Sequence, residues 1–167
     1  ECDVALVTDA GMPGISDPGS ELVTAAAQAD FRVEVVPGPS AVTAALAVSG
    51  FPGDAFLFLG FLPRRKKDRQ VALHQVAALA VQLVVFEAPH RLRAMLADVE
   101  AVFGERPLAV CRELTKFHEE VFRGTAAEAL DHFQSPRGEV VVVVQSFDSQ
   151  GDAFSHQIGT KGQSDVE

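Results

Sequence analysis

The sequence predicts an α/β protein: short apolar runs alternate with amphipathic stretches, Gly/Pro/Ser/Asp turn chemistry separates them, and one run, "VVVVV", is uniformly apolar as only a strand buried on both faces would be. Over the first fifty residues the order is strand, loop, helix, strand, turn, helix, the pattern of a parallel sheet with covering helices. The first strand, over 4–8, stops at Asp9 and is followed by a long connection rich in Gly, Pro and Ser, "DAGMPGISDPG". A helix is expected over about 19–29, with Pro18 at its first position, Asp17 as N-cap, and Leu22, Val23, Ala26 and Ala27 at helical spacing. Arg32 to Val36 reads as the second strand. "PGPS" makes a sharp turn around Gly38, Ser40 caps a helix over about 41–48, and Gly50 ends it.

Composition changes at "GFPGD", which divides the chain into an α/β unit over 1–52, a mixed α/β unit over 53–146 and a polar tail over 147–167 expected to be disordered. In the second unit the strands "AFLFLGFLP", "LVVFEA", "PLAVCREL", "EVFRG" and "GEVVVVVQ" are interleaved with helices near 69–80, 90–103 and 126–133. The valine run is the expected central strand.

At 167 residues and 47% hydrophobic content the chain can bury a real core. No stretch reaches the roughly 18–20 apolar residues that cross a bilayer, and Cys2 and Cys111 lack metal or redox spacing, so a soluble protein of the cytoplasm is expected. The formal net charge of −9 repels a polyanion except where positive charge is gathered. It is gathered once, in "PRRKKDRQ", where Arg64, Arg65, Lys66, Lys67 and Arg69 make a candidate phosphate-contacting arm; the alternative is a solvated helix start.

Ligands of open α/β sheets lie at the carboxyl ends of strands, where loops and helix N-termini expose N–H groups. The loop after Asp9 and the turn at Pro37 stand at two such ends. A Walker loop needs a lysine that is absent here; the G-x-G-x-x-G and G-x-S-x-G patterns are absent too, and "HEEVF" lacks the second histidine of a zinc motif. No metal is implied. A small polar molecule gripped mainly by backbone remains.

"VTDAGMPGISDPGSELV", "VVPGPSAVTAALAVSG", "FLFLGFLPRRKKDR", "VVFEAPHRLRAML", "CRELTKFHEEVFRG" and "GEVVVVV", in this order, closely resemble the tetrapyrrole methylase family, in particular its branch that methylates a cytidine ribose 2′-hydroxyl in small-subunit rRNA. The resemblance covers about residues 3–146 and implies a two-domain class III methyltransferase architecture, a homodimer, and S-adenosylmethionine in the cleft between domains. It implies that Asp9, Ala10, Gly11, Pro13, Ser16, Asp17, Pro18 and Gly19 form one cofactor loop, that Pro37, Gly38, Pro39, Ser40 and Ala41 form its second contact, and that Glu87, Ala88, Arg112, Leu114, Gly138 and Glu139 line the far side. The family also begins with a strand–helix segment carrying "PIGN"-like and "EDTR"-like motifs, and ends in a helical extension. The chain is therefore expected to be a fragment with a truncated first domain.

Methyl transfer to a ribose hydroxyl is an in-line displacement in which alignment supplies up to about 7–11 kcal/mol. Candidate catalytic residues are Glu113 and Glu87 as proton acceptors, with Lys116 or Arg112 holding a phosphate or the developing alkoxide. Two other readings stand beside this one: a methylase of a tetrapyrrole or other small molecule, and a non-catalytic S-adenosylmethionine-binding module.

Overall fold

A computed structural model describes residues 2–146; the expected tail, 147–167, lies outside the described residues. The described elements are α1 (Ser20–Gln28), α2 (Ala41–Ser49), β1 (Phe56–Phe61), α3 (Lys66–Val76), β2 (Gln82–Glu87), α4 (Pro89–Phe103), β3 (Leu108–Arg112), β4 (Glu120–Gly124), α5 (Ala126–His132) and β5 (Val140–Val144). The strands form one mixed sheet in the order β1-β2-β5-β3-β4. Only β1 and β2 run parallel; β5 is antiparallel to β2 and β3, and β4 to β3.

The valine run sits third of five and all its residues are buried, because both sheet faces are covered. Side chains alternate across the pleat. Val140, Val142 and Val144 join Leu83, Val85, Leu108 and Val110 beneath α3, α4 and α5, while Val141 and Val143 join Val84, Ala109 and Cys111 beneath α2. Burial in that second layer pushes the Cys111 thiol up to about 11, which makes it a packing group rather than a nucleophile.

Helix α2 has a fixed direction. Gly50 ends it in the left-handed conformation, φ 77°. Arg123 of β4 donates to the carbonyls of Val48 and Ser49 at that end, and Gln82 at the start of β2 donates to the carbonyls of Phe51 and Gly53 just beyond it. The C-terminus of α2 thus lies over the start of β2, and its N-terminus, with the "PGPS" turn, points toward the opposite end of the sheet. No helix among the described residues is long and apolar enough to cross a membrane.

Three expectations are corrected. Residues 4–8 and 32–36 are not hydrogen-bonded into a sheet, and Val4, Val7, Val33, Val35 and Val36 are exposed. An apolar run becomes a strand only where a neighbour completes its ladder, and no described strand does so. Helix α1 begins at Ser20 rather than after Asp17, since Gly19 at φ 122° turns the chain just ahead of it. Helix α3 begins at Lys66 and carries Arg69 inward. Arg69 is 4% exposed, its guanidinium lies 2.5 Å from the Asp98 carboxylate, and it donates to the carbonyls of Pro63 and Arg64. Arg69 therefore fastens the basic segment to α4 and is withdrawn from any phosphate-contacting surface.

Gln70 also donates to Asp98, 2.8 Å away, so the buried carboxylate is fully satisfied only while α3 and α4 are docked. Arg69→Met alone is expected to destabilise the fold by about 3–5 kcal/mol in urea denaturation, because Asp98 is left buried and charged, whereas the Arg69→Met/Asp98→Leu pair should recover most of that loss.

Candidate functional site

Strand polarity gathers one set of termini. The carboxyl ends of β1, β2 and β3 and the amino ends of β5 and β4 share one sheet end, the end toward which α2 points its N-terminus. Two turns meet there. A Cβ added at Gly38 would stand 3.2 Å from the Met12 sulfur and 3.4 Å from the Gly11 carbonyl oxygen, and one at Gly11 would stand 3.5 Å from the Pro39 carbonyl oxygen. A Cβ on Gly60, at the irregular carboxyl end of β1, would stand 3.4 Å from Ser16 Oγ. The loop after Asp9 is thus pressed between the "PGPS" turn and the end of β1.

That approach depends on backbone. Gly11 and Gly14 hold φ 76° and 83°, and Ser16 holds φ 57°, a left-handed residue that is not glycine. Among the described residues no backbone–backbone hydrogen bond starts or ends within 9–18 or 37–39. Peptide N–H and C=O groups of two adjoining turns are therefore open to a ligand with both donors and acceptors.

The segment after β3 supplies charge. Glu113 and Thr115 both hold positive φ, 51° and 66°, a conformation that costs a side-chain-bearing residue roughly 1–2 kcal/mol. Four contacts hold it. Glu139 N–H donates to the Glu113 carboxylate at 2.8 Å, Lys116 Nζ lies 3.2 Å from Glu113 and 3.1 Å from Glu139, and the Thr115 N–H donates to the Glu119 carboxylate. Gly138 makes room for this, since a Cβ there would collide with the Glu113 carboxyl. The Glu139 N–H, then Lys116, holds the Glu113 carboxyl below its ordinary range; the Glu139 and Glu113 carboxylates keep Lys116 protonated above its own. The site thus presents a cation between two carboxylates, of which Glu113 is held by a backbone N–H and Glu139 is largely exposed.

Glu87 and Arg112 depart from expectation because of the pleat. Glu87 shares the face of Leu83 and Val85, under α4; its side chain is fully buried and accepts from the Ala88 N–H at 2.8 Å, with Arg91 Nε 3.2 Å away. It cannot reach a hydroxyl on the α2 side, so it is not an accessible proton acceptor. Its second carboxylate oxygen, Oε2, has no hydrogen-bond partner among the described residues. Burial raises its pKa above the ordinary value, against the Ala88 N–H and Arg91. Arg112 turns the same way and is bound by Glu120 at 2.8 Å. Leu114, in contrast, packs into the α2 layer.

A second feature carries no sequence signature. Glu120 bridges Arg112 and His132 (2.6 Å) at the rim of an open hollow of about 280 Å³ that Arg137 also lines. His132, then Arg112, holds the Glu120 carboxyl below its ordinary range. Glu120 lies 8 residues from Arg112 and 12 from His132, spacings that match no motif, and the β3–β4 pairing and the position of α5 bring the three together.

Comparison with known proteins follows the same lines. The family model for Tetrapyrrole (Corrin/Porphyrin) Methylases matches residues 2–130. A protein named ribosomal RNA small subunit methyltransferase I from Thermotoga maritima is 48% identical over 84% of this chain and 64% of its own length. One of the same name from Mycobacterium tuberculosis is 50% identical over 84% of this chain and 50% of its own length. The chain therefore spans about half to two thirds of the curated relatives it matches. Among solved structures, the methyltransferase CobJ gives a TM-score of 0.63 at 18% identity, covering 86% of this chain and 64% of that one. Uroporphyrin-III C-methyl transferase from Thermus thermophilus complexed with S-adenyl homocysteine gives 0.56 at 18%, covering 81% and 62%. At these identities the likeness is one of fold.

The buried Glu87 yields a signed pH effect. A carboxyl with a raised folded-state pKa favours folding in its neutral form, so its charge weakens the fold as pH rises from the unfolded value of 4.5 through the folded one. Wild type should gain stability relative to Glu87→Gln as pH falls from 7 to 4 in paired thermal melts; a difference that is flat with pH, or of opposite slope, would show that Arg91 rather than burial controls this carboxyl.

Proposed function

The chain belongs to the tetrapyrrole (corrin/porphyrin) methylase family, and from that premise we propose that it transfers a methyl group from S-adenosylmethionine to the ribose 2′-hydroxyl of a cytidine in small-subunit ribosomal RNA, as a homodimer in the cytoplasm. The observation that carries the reading is the contact between the turns at Gly11–Met12 and Gly38–Pro39, with their peptide groups uncommitted. The curated relatives' names supply the substrate class.

The residues present suit the donor. An amino acid zwitterion needs N–H partners for its carboxylate and C=O partners for its amine, and both turns offer these without competing side chains. S-adenosylmethionine, when bound, supplies a methyl group on a sulfonium that leaves as a neutral thioether. The protein's task is then chiefly alignment, worth up to about 7–11 kcal/mol. Pro13, Pro18, Pro37 and Pro39 stiffen both turns and lower the entropy lost on binding. Asp9, Ala10, Asp17, Gly19, Ser40 and Ala41 complete the two segments that hold the donor in this reading; Ala88, Leu114, Gly138 and Glu139 border the same sheet end.

Roles follow from the electrostatics. Glu113, held ionised by Glu139 N–H and Lys116, is a weak proton acceptor, and its contribution is to keep Lys116 charged and oriented. Lys116 then faces the phosphate or developing alkoxide of the acceptor. Arg64, Arg65, Lys66 and Lys67, placed after β1 and in the first turn of α3, supply the phosphate contacts.

The test compares methyl transfer to small-subunit particles, free rRNA and a tetrapyrrole. Labelled methyl is expected in the RNA alone, and incorporation into the tetrapyrrole would overturn the substrate. Gly11→Val should weaken S-adenosylmethionine binding roughly tenfold by calorimetry, the equivalent of the ~1–2 kcal/mol that left-handed backbone costs a side chain. Charge reversal at Arg64, Arg65 and Lys67 should lower the slope of log affinity against log salt by about 0.7 per lost contact to single-stranded RNA; an unchanged slope would remove the basic segment from the interface.

A further inference from the structure

The chain has no tryptophan or tyrosine, so any aromatic contact to a nucleobase must come from its phenylalanines. Of those described, Phe51, Phe58, Phe86, Phe103, Phe122 and Phe133 lie in or against the core layers, while Phe31, Phe56 and Phe61 are exposed at 71, 47 and 55%. Phe117 is 97% exposed, more than any other large apolar side chain described.

It is also presented rather than dangling. Phe117 and His118 are the middle residues of a turn closed by Glu119 N–H donating to the Lys116 carbonyl at 3.0 Å. That turn is pinned below by Lys116 N–H to the Glu113 carbonyl at 2.9 Å and by Thr115 N–H to the Glu119 carboxylate. Leu114, the other apolar residue of the segment, is committed to the α2 layer, and the Phe117 ring meets the His118 ring edge-on, centroids 5.0 Å apart, which leaves its faces open. A protein interface surrounds its aromatic anchor with further apolar contact; a base needs only one flat face and phosphate partners beside it.

The partners are on the same sheet end. The carboxylates near the turn are spent internally: Glu113 and Glu139 on Lys116, Glu119 on Thr115, and Glu120 on Arg112 and His132. Arg137, just before β5, has no side-chain partner among the described residues, and neither has any of Arg64, Arg65, Lys66 and Lys67 after β1. Three strand spacings separate the ends of β1 and β3, roughly 14 Å, a span that a short single strand covers.

We propose that Phe117 is a base-stacking residue, which receives an unpaired base of the RNA while Arg137 and the 64–67 segment hold phosphates on either side. This rests on the RNA reading above and adds to it where a single-stranded segment is gripped.

Phe117→Trp introduces a tryptophan where the chain has none, so its emission reports on this position alone. Titration with a short cytidine-containing single-stranded RNA oligonucleotide should quench that emission saturably, with the midpoint found by anisotropy of labelled RNA. Phe117→Ala and Phe117→Leu should each weaken binding roughly tenfold, since the loss of a stacked base is what both share, whereas Phe117→Tyr and Phe117→Trp should bind as wild type. Salt-dependent RNA binding with no quenching, and an alanine variant equal to wild type, would overturn the stacking while leaving the RNA reading intact. Emission that changes with protein concentration and not with RNA would make the turn a self-association contact and overturn the proposal. Absence of RNA binding by wild type itself would overturn both.

Discussion

The five buried valines of β5 are the constraint on which the remainder of the molecule depends. A strand apolar on both faces demands cover on both, and among the described residues the cover differs: α3, α4 and α5 on one side, α2 on the other. Every residue at the sheet end inherits a side from this alternation. Glu87 and Arg112 fall under the three-helix layer, while Leu114 falls under α2, beside the turns that precede it. The partition follows from pleat and register alone, and it decides which carboxylates a ligand near Gly11 and Gly38 can meet.

The same end shows how conformational cost is concentrated. Of the four described residues that occupy left-handed backbone without being glycine, Ser16, Glu113 and Thr115 sit at the candidate site, and Asp30 ends the turn after α1. Around Glu113 the cost is offset by charge-assisted hydrogen bonds from Glu139 N–H and Lys116, and by the missing side chain at Gly138. Strained residues that persist because their surroundings over-determine them are a mark of sites rather than of connectors. The structure's other strong polar device, Arg69–Asp98, has no such strain, is buried, and holds two helices together.

Much of this was readable in the sequence. The helix over about 90–103, the valine strand, the Gly50 helix end and the two glycine-proline turns follow from periodicity and turn chemistry, which are local properties. The convergence of those two turns follows from the placing of α2. What failed was non-local. "VALVT" and "RVEVV" have strand composition, but composition supplies no ladder partner. Arg69 belongs to a basic run by sequence and to the core by helical phase, because α3 starts at Lys66. Glu87 looked like an accessible carboxylate until its parity in β2 put it under α4. The hollow formed by Arg112, Glu120, His132 and Arg137 had no motif to announce it, and the exposure of Phe117 is a property of a closed turn that spacing does not encode.

The account rests on two stiff turns that meet and hold a methyl donor by their peptide groups. Amide hydrogen exchange, followed residue by residue with and without S-adenosylmethionine, addresses this most directly. Amides within 9–19 and 37–41 should slow together, with one shared concentration dependence, while those of 64–67 stay unchanged. Protection confined to one turn, or appearing instead around the hollow at Arg112 and His132, would contradict it.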